Sequence, residues 1–298
     1  MCSTVRGSKS ESTPGHLERD NGYSSMTAST EQKSVPGALA AAARLRGEGR
    51  LNEAAALVET ALGQARAAPL GVPFRDRVQL GLVLADLYLA TDRAERAHSL
   101  LVTEAAFAEQ IFLLTRQTGT PDQVRTASTG GYQLRDRATQ VALLGQAAPE
   151  IEVADWVLGQ PTTLAEQRGR VVMLEFWARW CRPCLATFPM LGDLHRRYHE
   201  HGLTILALTR YGPAPADDPA AQRVSERNAI RQAVADRGLD IAIGIAPDGR
   251  LQQRYGAIGM PTFALVDRTG TVRFAATARD KTEVERAVVS LLDTTIDR

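Results

Sequence analysis

One short apolar run constrains this chain more than any other feature. Val171-Val-Met-Leu-Glu-Phe-Trp177 is almost unbroken, and nothing in it alternates with polar residues. A run of this kind reads as a strand buried on both faces, so structure must cover each side of the sheet that holds it. It leads directly into Ala-Arg-Trp-Cys-Arg-Pro-Cys184 and then into a helical stretch from Leu185 to His201. Two cysteines therefore stand where a central strand gives way to a helix.

That placement gives a C-x-x-C pair its chemistry. The first thiol, Cys181, faces the unpaired amides and the positive dipole end of the following helix, which favour a thiolate. Arg179 and Arg182 add positive charge, and Pro183 suits the first helical turn, where its missing N–H costs nothing. Cys184 lies three residues on, within disulfide reach and turned inward. The spacing predicts Cys181 as the attacking thiol and Cys184 as the resolving one. Trp177 reads as core, and Trp180 as a cover over the pair that lines a substrate surface.

Around this motif, strands alternate with helices. Leu203 to Arg210 reads as a second buried strand, followed by a Pro/Asp-rich insert, a helix from Arg223 to Gly238, and a short strand near Ile241. Phe263 to Asp267 and Thr271 to Thr277 form a strand hairpin across Arg268-Thr-Gly270, and Glu283 to Asp293 closes the domain as a helix. This order implies an α/β fold with a mainly parallel core. The stretch Ala148 to Arg170 predicts a β-hairpin ahead of it.

The first half differs. Residues 1–35 are rich in Ser, Thr, Gly and charge, which predicts a disordered tail, with Cys2 a plain tail thiol. Residues 36–119 are Ala- and Leu-rich with helical periodicity, and predict two helical hairpins turning at Gly47–Gly49 and near Thr91–Asp92. Gly49-Arg-Leu-Asn-Glu-Ala54 and Asp92-Arg-Ala-Glu-Arg-Ala97 occupy matching places in the two units. Each unit resembles a degenerate tetratricopeptide hairpin; two such units suggest a small module that docks on the next domain or on a protein partner. Residues 120–147 predict a helical linker that starts after a breaker at Thr129-Gly-Gly131, and residues 148–298 the redox domain.

Composition narrows the function. Formal net charge is +1 and aromatic content 5%, which exclude a general nucleic-acid or anionic-membrane surface. Three cysteines are too few for a disulfide-stapled scaffold or a four-thiolate zinc site. No apolar stretch is long enough to span a membrane, and the N-terminal residues lack an export-type apolar segment, so the expected location is cytoplasmic.

Glu175-Phe-Trp-Ala-Arg-Trp-Cys-Arg-Pro-Cys184, with Ala148-Pro-Glu-Ile-Glu-Val153 upstream and Gly259-Met-Pro-Thr-Phe263 downstream, resembles the TlpA/redoxin (AhpC/TSA-type) branch of the thioredoxin-like superfamily. The resemblance covers about half the chain. It implies a thioredoxin-like fold, a central mixed sheet flanked by helices, behind the all-α module. It implies thiol–disulfide oxidoreductase activity, with disulfide-containing protein clients, an upstream thiol reductant, and no cofactor or metal. Pro261 matches the family's cis-proline, which faces the cysteines and presents backbone to an extended client. Arg182, Pro183, Met260 and Thr262 then join Trp180 as expected client contacts. Glu175 falls where thioredoxins bury an acid that exchanges protons with the resolving cysteine. An acid within Val-Val-Met-Leu-Glu-Phe-Trp should carry a raised pKa. Pro189 matches a kink in the first helix.

Two alternatives belong to other classes. A peroxiredoxin needs Pro and a Thr/Ser hydroxyl before its cysteine, whereas Phe176, Trp177, Ala178, Arg179 and Trp180 supply neither. A Cu(I)- or zinc-carrying module would use the two thiolates, with His195, His199 and His201 as auxiliaries; the charged residues among these histidines read as a solvated face.

Overall fold

The β2 strand, Val171–Phe176, is buried at every position, as its sequence requires. In the computed structural model, which describes residues 34–69, 71–212, 218–278 and 280–293, it lies near the middle of a six-stranded sheet ordered β1-β4-β3-β2-β5-β6. It runs parallel to β3 (Leu203–Arg210) and antiparallel to β5 (Thr262–Val266). Beyond β3 comes parallel β4 (Ala242–Ala246), edged by antiparallel β1 (Asp155–Leu158). Beyond β5 comes antiparallel β6 (Val272–Thr277). This is the mixed sheet of a thioredoxin-like fold.

Period-two geometry divides β2 between two cores. Val171 and Met173 face a layer containing Phe188, Leu191, Leu194, Val284 and Val288. Val172, Leu174 and Phe176 face Ile151, Leu164, Leu251 and Tyr255 on the other side. Glu175 shares the parity of Met173 and therefore the face covered by the helices after the cysteines. Those helices are α6 (Arg182–Leu185) and α7 (Phe188–Tyr198). The expected single helix is interrupted at Ala186-Thr187, and Pro189 sits in the first turn of α7. The remaining helices of this half are α8 (Pro219–Ala235), α9 (Arg250–Arg254) and α10 (Lys281–Asp293).

The expected hairpin over Ala148–Arg170 does not form. Its first part supplies the single edge strand β1, and the rest is a turn-rich loop. The Glu150 carboxylate accepts hydrogen bonds from the amides of Ile151 (2.9 Å), Leu164 (2.6 Å) and Ala165 (3.2 Å), so these amides need no partner strand.

The first half is all helix: α1 (Val35–Gly47), α2 (Leu51–Ala67), α3 (Phe74–Leu89), α4 (Ala94–Thr118) and α5 (Pro121–Leu143). The two matching sequence segments make matching turns. Gly49 and Asp92 both have positive φ, and the next amide in each reaches back, Arg50 to Leu45 O and Arg93 to Tyr88 O. Buried Glu104 accepts from Arg77 at 2.7 Å and from Arg66 at 2.8 Å, tying α4 to α3 and α2. The expected disordered tail and Cys2 lie outside the described residues, save that Ser34 already caps α1 and Val35 opens it.

Thr129-Gly-Gly131 does not break the chain, because α5 runs straight through it. Gly130 is used for closeness: a Cβ there would lie 2.6 Å from Phe74 and 2.8 Å from Val78 of α3. Tertiary packing has overridden local propensity. After α5, residues 145–148 pair with the outer side of β6 through Gly145 N to Val272 O (2.8 Å), Val272 N to Gln146 O (2.9 Å) and Ala148 N to Gly270 O (2.9 Å).

Two glycine substitutions separate these effects. Gly63→Ala in α2, where nothing lies within 4 Å of the added methyl, is expected to raise stability by up to about 1 kcal/mol. Gly130→Ala gains the same helical preference but overpacks, and is expected to lose about 1–3 kcal/mol. Urea unfolding midpoints at constant slope check both signs.

Candidate redox site

The chain turns from β2 into α6 through Trp177, Ala178, Arg179 and Trp180. Cys181 is the N-cap of α6 and joins Cys184 in a disulfide, with Cα atoms 5.3 Å apart. The Cys184 amide points at Cys181 Sγ at 3.3 Å. Such an amide is placed to stabilise negative charge on that sulfur once the bridge opens. The two cysteines differ in access: Cys181 retains 7% of its surface and Cys184 none. Trp180 is 70% exposed beside them, while Trp177 is buried and packs edge-on against Phe188 at 5.0 Å. Arg182 and Pro183 are exposed on α6.

Glu175, on the β2 face covered by α6 and α7, is fully buried, and among the described residues its Oε2 has no hydrogen-bond partner. Burial pushes its pKa up to about 8, opposed only in part by a hydrogen bond from Thr187. Thr187 carries no signal in the sequence, where it sits inconspicuously in Leu185-Ala-Thr-Phe188. Its hydroxyl lies within hydrogen-bond distance of both Glu175 Oε1 and the Cys184 carbonyl, the latter at 2.6 Å. A hydroxyl has one proton and cannot donate to two acceptors. The conflict disappears when Glu175 is protonated: it donates to Thr187 Oγ1, and Thr187 donates to the carbonyl. Geometry and desolvation thus agree on a neutral Glu175 beside the disulfide.

The Met260–Pro261 peptide is cis. Met260, Trp180, Arg179 and Tyr211 line a cleft of about 140 Å³ together with Glu226 and Ile230 of α8. The structure therefore brings Trp180 and Met260 together, and adds Tyr211, at the end of β3, which had not been expected. Thr262 is a correction. It is 0% exposed, and its hydroxyl donates to the Gly259 carbonyl at 2.7 Å, so its side chain supports the loop instead of facing a client. The His195 and His199 rings lie 4.7 Å apart and are tilted by 56°, and His199 and His201 are exposed. Among the described residues, no three His, Cys, Asp or Glu side chains are grouped to hold a metal.

The family model described as Redoxin matches residues 143–292, half of the chain. The chain belongs to the Redoxin family. Among curated proteins, it is 29% identical over 142 residues to the thiol-disulfide oxidoreductase ResA of Bacillus thuringiensis subsp. konkukian (strain 97-27), covering 48% of this chain and 72% of that protein. It is 30% identical to ResA of Bacillus cereus (strain ATCC 10987 / NRS 248) with the same coverage. A crystal structure of a thiol:disulfide interchange protein of the thioredoxin family from Chlorobium tepidum TLS superposes with a TM-score of 0.40 at 20% identity, covering 49% of this chain and 95% of that one. The family match begins at residue 143, so the tetratricopeptide likeness of α1–α4 rests on the residue pattern alone.

The Glu175 carboxyl makes stability depend on pH. Folding raises its pKa from 4.5 to about 8, so the folded state holds a proton that the unfolded chain releases in this window. Stability is full below the window and falls as pH rises through it, by up to about 1.4 kcal/mol per pH unit. Glu175→Gln cannot ionise and is expected to flatten that slope. Urea titrations of the oxidised protein and the variant at pH 5 and pH 8 measure it.

Proposed function

We propose that this chain reduces disulfide bonds in protein clients by dithiol–disulfide exchange at Cys181 and Cys184. The observation that carries this reading is the bridged pair itself, one sulfur reaching the surface beside an exposed Trp180 and the other sealed behind it. Thiol–disulfide oxidoreduction is also the activity in the names of the ResA relatives.

In the reduced protein, the Cys181 thiolate attacks one sulfur of a client disulfide. A Cys181–client disulfide forms, and the client's other sulfur leaves as a thiolate and takes a proton from water. Cys184 then attacks Cys181 Sγ, giving up its own proton. The client's second sulfur leaves, and the Cys181–Cys184 bridge closes. Two electrons have passed to the client. Glu175 is the proposed acceptor of the Cys184 proton, supported by its burial, its unpartnered Oε2 and its link through Thr187 to the Cys184 carbonyl. The neutral Glu175 beside the closed bridge matches the end of this step. A small-molecule or protein dithiol must then return the two electrons.

Trp180, Arg182, Pro183, Met260 and the backbone at Pro261 would receive the client along the cleft. A reducing cytoplasm is the proposed setting, supported by three cysteines in 298 residues. Three apolar side chains of α4, Val102, Leu113 and Leu114, each about half exposed, favour an added role in protein contact for the helical module.

Reduction of insulin driven by dithiothreitol tests the assignment. Cys181→Ser is expected to fall to the uncatalysed rate. Cys184→Ser is expected to retain the first attack and accumulate a mixed disulfide, visible on a non-reducing gel and released by excess thiol. Equal activity of Cys181→Ser and wild type would reject the assignment.

A further inference from the structure

Helix α5 meets the redox half at the loop that precedes the cis-proline. Gly256-Ala-Ile-Gly259 leads from α9 to Met260 and Pro261, and two buried side chains of α5 hold its backbone. Asp136 Oδ2 accepts from the Gly259 amide at 2.7 Å. Gln140, one turn further, donates to the Gly256 carbonyl at 2.6 Å and to Thr277 Oγ1 at 2.7 Å. Thr277 and Thr262 share a hydrogen bond of 2.6 Å, and Thr262 donates to the Gly259 carbonyl at 2.7 Å.

These bonds have a consistent direction. Gln140 donates to Thr277, Thr277 to Thr262, and Thr262 to the Gly259 carbonyl, while the Gly259 amide returns to Asp136. Each hydroxyl donates once and accepts once, which is the full capacity such a chain needs. The circuit starts and ends on α5 and encloses the residue after Pro261.

Packing reinforces it. Gly256 has φ +59, and a Cβ there would lie 2.3 Å from the Asp136 carbonyl oxygen. The backbone of α5 therefore presses directly on the loop. Asp136 and Gln140 are 6% and 1% exposed. Next to them, Arg137 bonds both Asp86 of α3 (2.7 Å) and the Ala275 carbonyl of β6 (2.8 Å), fixing α5 to both halves.

We propose that Asp136 and Gln140 are positioning residues for disulfide exchange, and that α5, anchored on α3 through Arg137, is an internal brace for the client-facing loop. This inference rests on the reading above that the chain reduces protein disulfides. A loop left unbraced would have to be ordered by each arriving client, and that ordering entropy weakens client binding. The reactivity of Cys181 toward a small reagent does not depend on the loop in this way. The brace should therefore show in KM for a protein client and not in the reaction with a small molecule.

The test uses the full chain as wild type, Asp136→Ala, Asp136→Asn and Gln140→Leu. Two reactions are followed: steady-state reduction of insulin with dithiothreitol, and alkylation of reduced Cys181 by iodoacetamide. Asp136→Ala and Gln140→Leu are expected to raise KM for insulin roughly tenfold, with kcat and the alkylation rate little changed. Asp136→Asn keeps an oxygen that can accept from Gly259 and is expected to recover most of the loss. Unchanged KM in Ala and Leu variants overturns the brace, as does a parallel fall in alkylation or an Asn variant no better than Ala. Failure of the wild type to reduce insulin would remove the functional reading and the brace together, whereas an active wild type with indifferent variants removes the brace alone.

Discussion

The dryness of β2 on both faces is the constraint from which the rest of this molecule follows. A strand with no wet side must have a layer above and a layer below, and here each layer has its own apolar cluster. Being central also fixes where the strand ends, at the edge of the sheet where the chain must turn into a covering helix. The cysteine pair occupies that turn. The one polar side chain within the strand, Glu175, is tolerated because a bound proton keeps it uncharged and Thr187 gives it a hydrogen-bond partner. Burial that would ordinarily make an acid costly thus sets its protonation state next to a disulfide.

The same logic explains why the helical half is not merely appended. Its own core is closed by small residues and by the Glu104–Arg77 pair, yet α5 turns buried polar side chains outward onto a neighbouring loop. Polar groups in such a place are costly unless fully satisfied, and Asp136 shows the cost. Burial lifts its pKa to about 6 even with the loop amides opposing the shift. A helix that only covered apolar surface would have no need of them. Their presence signals that the position of the loop matters in detail.

Much of this was legible in the sequence, and what was missed had a common cause. The apolar run gave β2, the C-x-x-C pair gave the junction, and the alternation of patterns gave the order of strands and helices. The repeated turn segments found the two hairpins. Three readings failed where a contact that the local pattern does not show decided the outcome. The Ala148–Arg170 segment has strand-like residues, but Glu150 supplies its amides with another acceptor. Thr129-Gly-Gly131 has the composition of a break, but α3 needs that closeness. Thr262 follows the cis-proline, where a client contact is expected, but its hydroxyl belongs to a network reaching back to Gln140. Thr187, Asp136 and Gln140 carried no local signal, because a side chain's significance here lies in what it meets more than a hundred residues away, or on the next element.

The short stretch from Gly145 to Ala148 carries a last implication. By running alongside β6, it occupies the margin of the sheet that would otherwise present unpaired amides and carbonyls to solvent, and the Ala147–Thr271 bridge fastens it there. The boundary between the helical and redox halves is thus a sewn hem. A chain severed at that point would gain a raw strand border open to neighbouring molecules, so self-association, more than loss of the active-site turn, would be the first penalty of separating the halves.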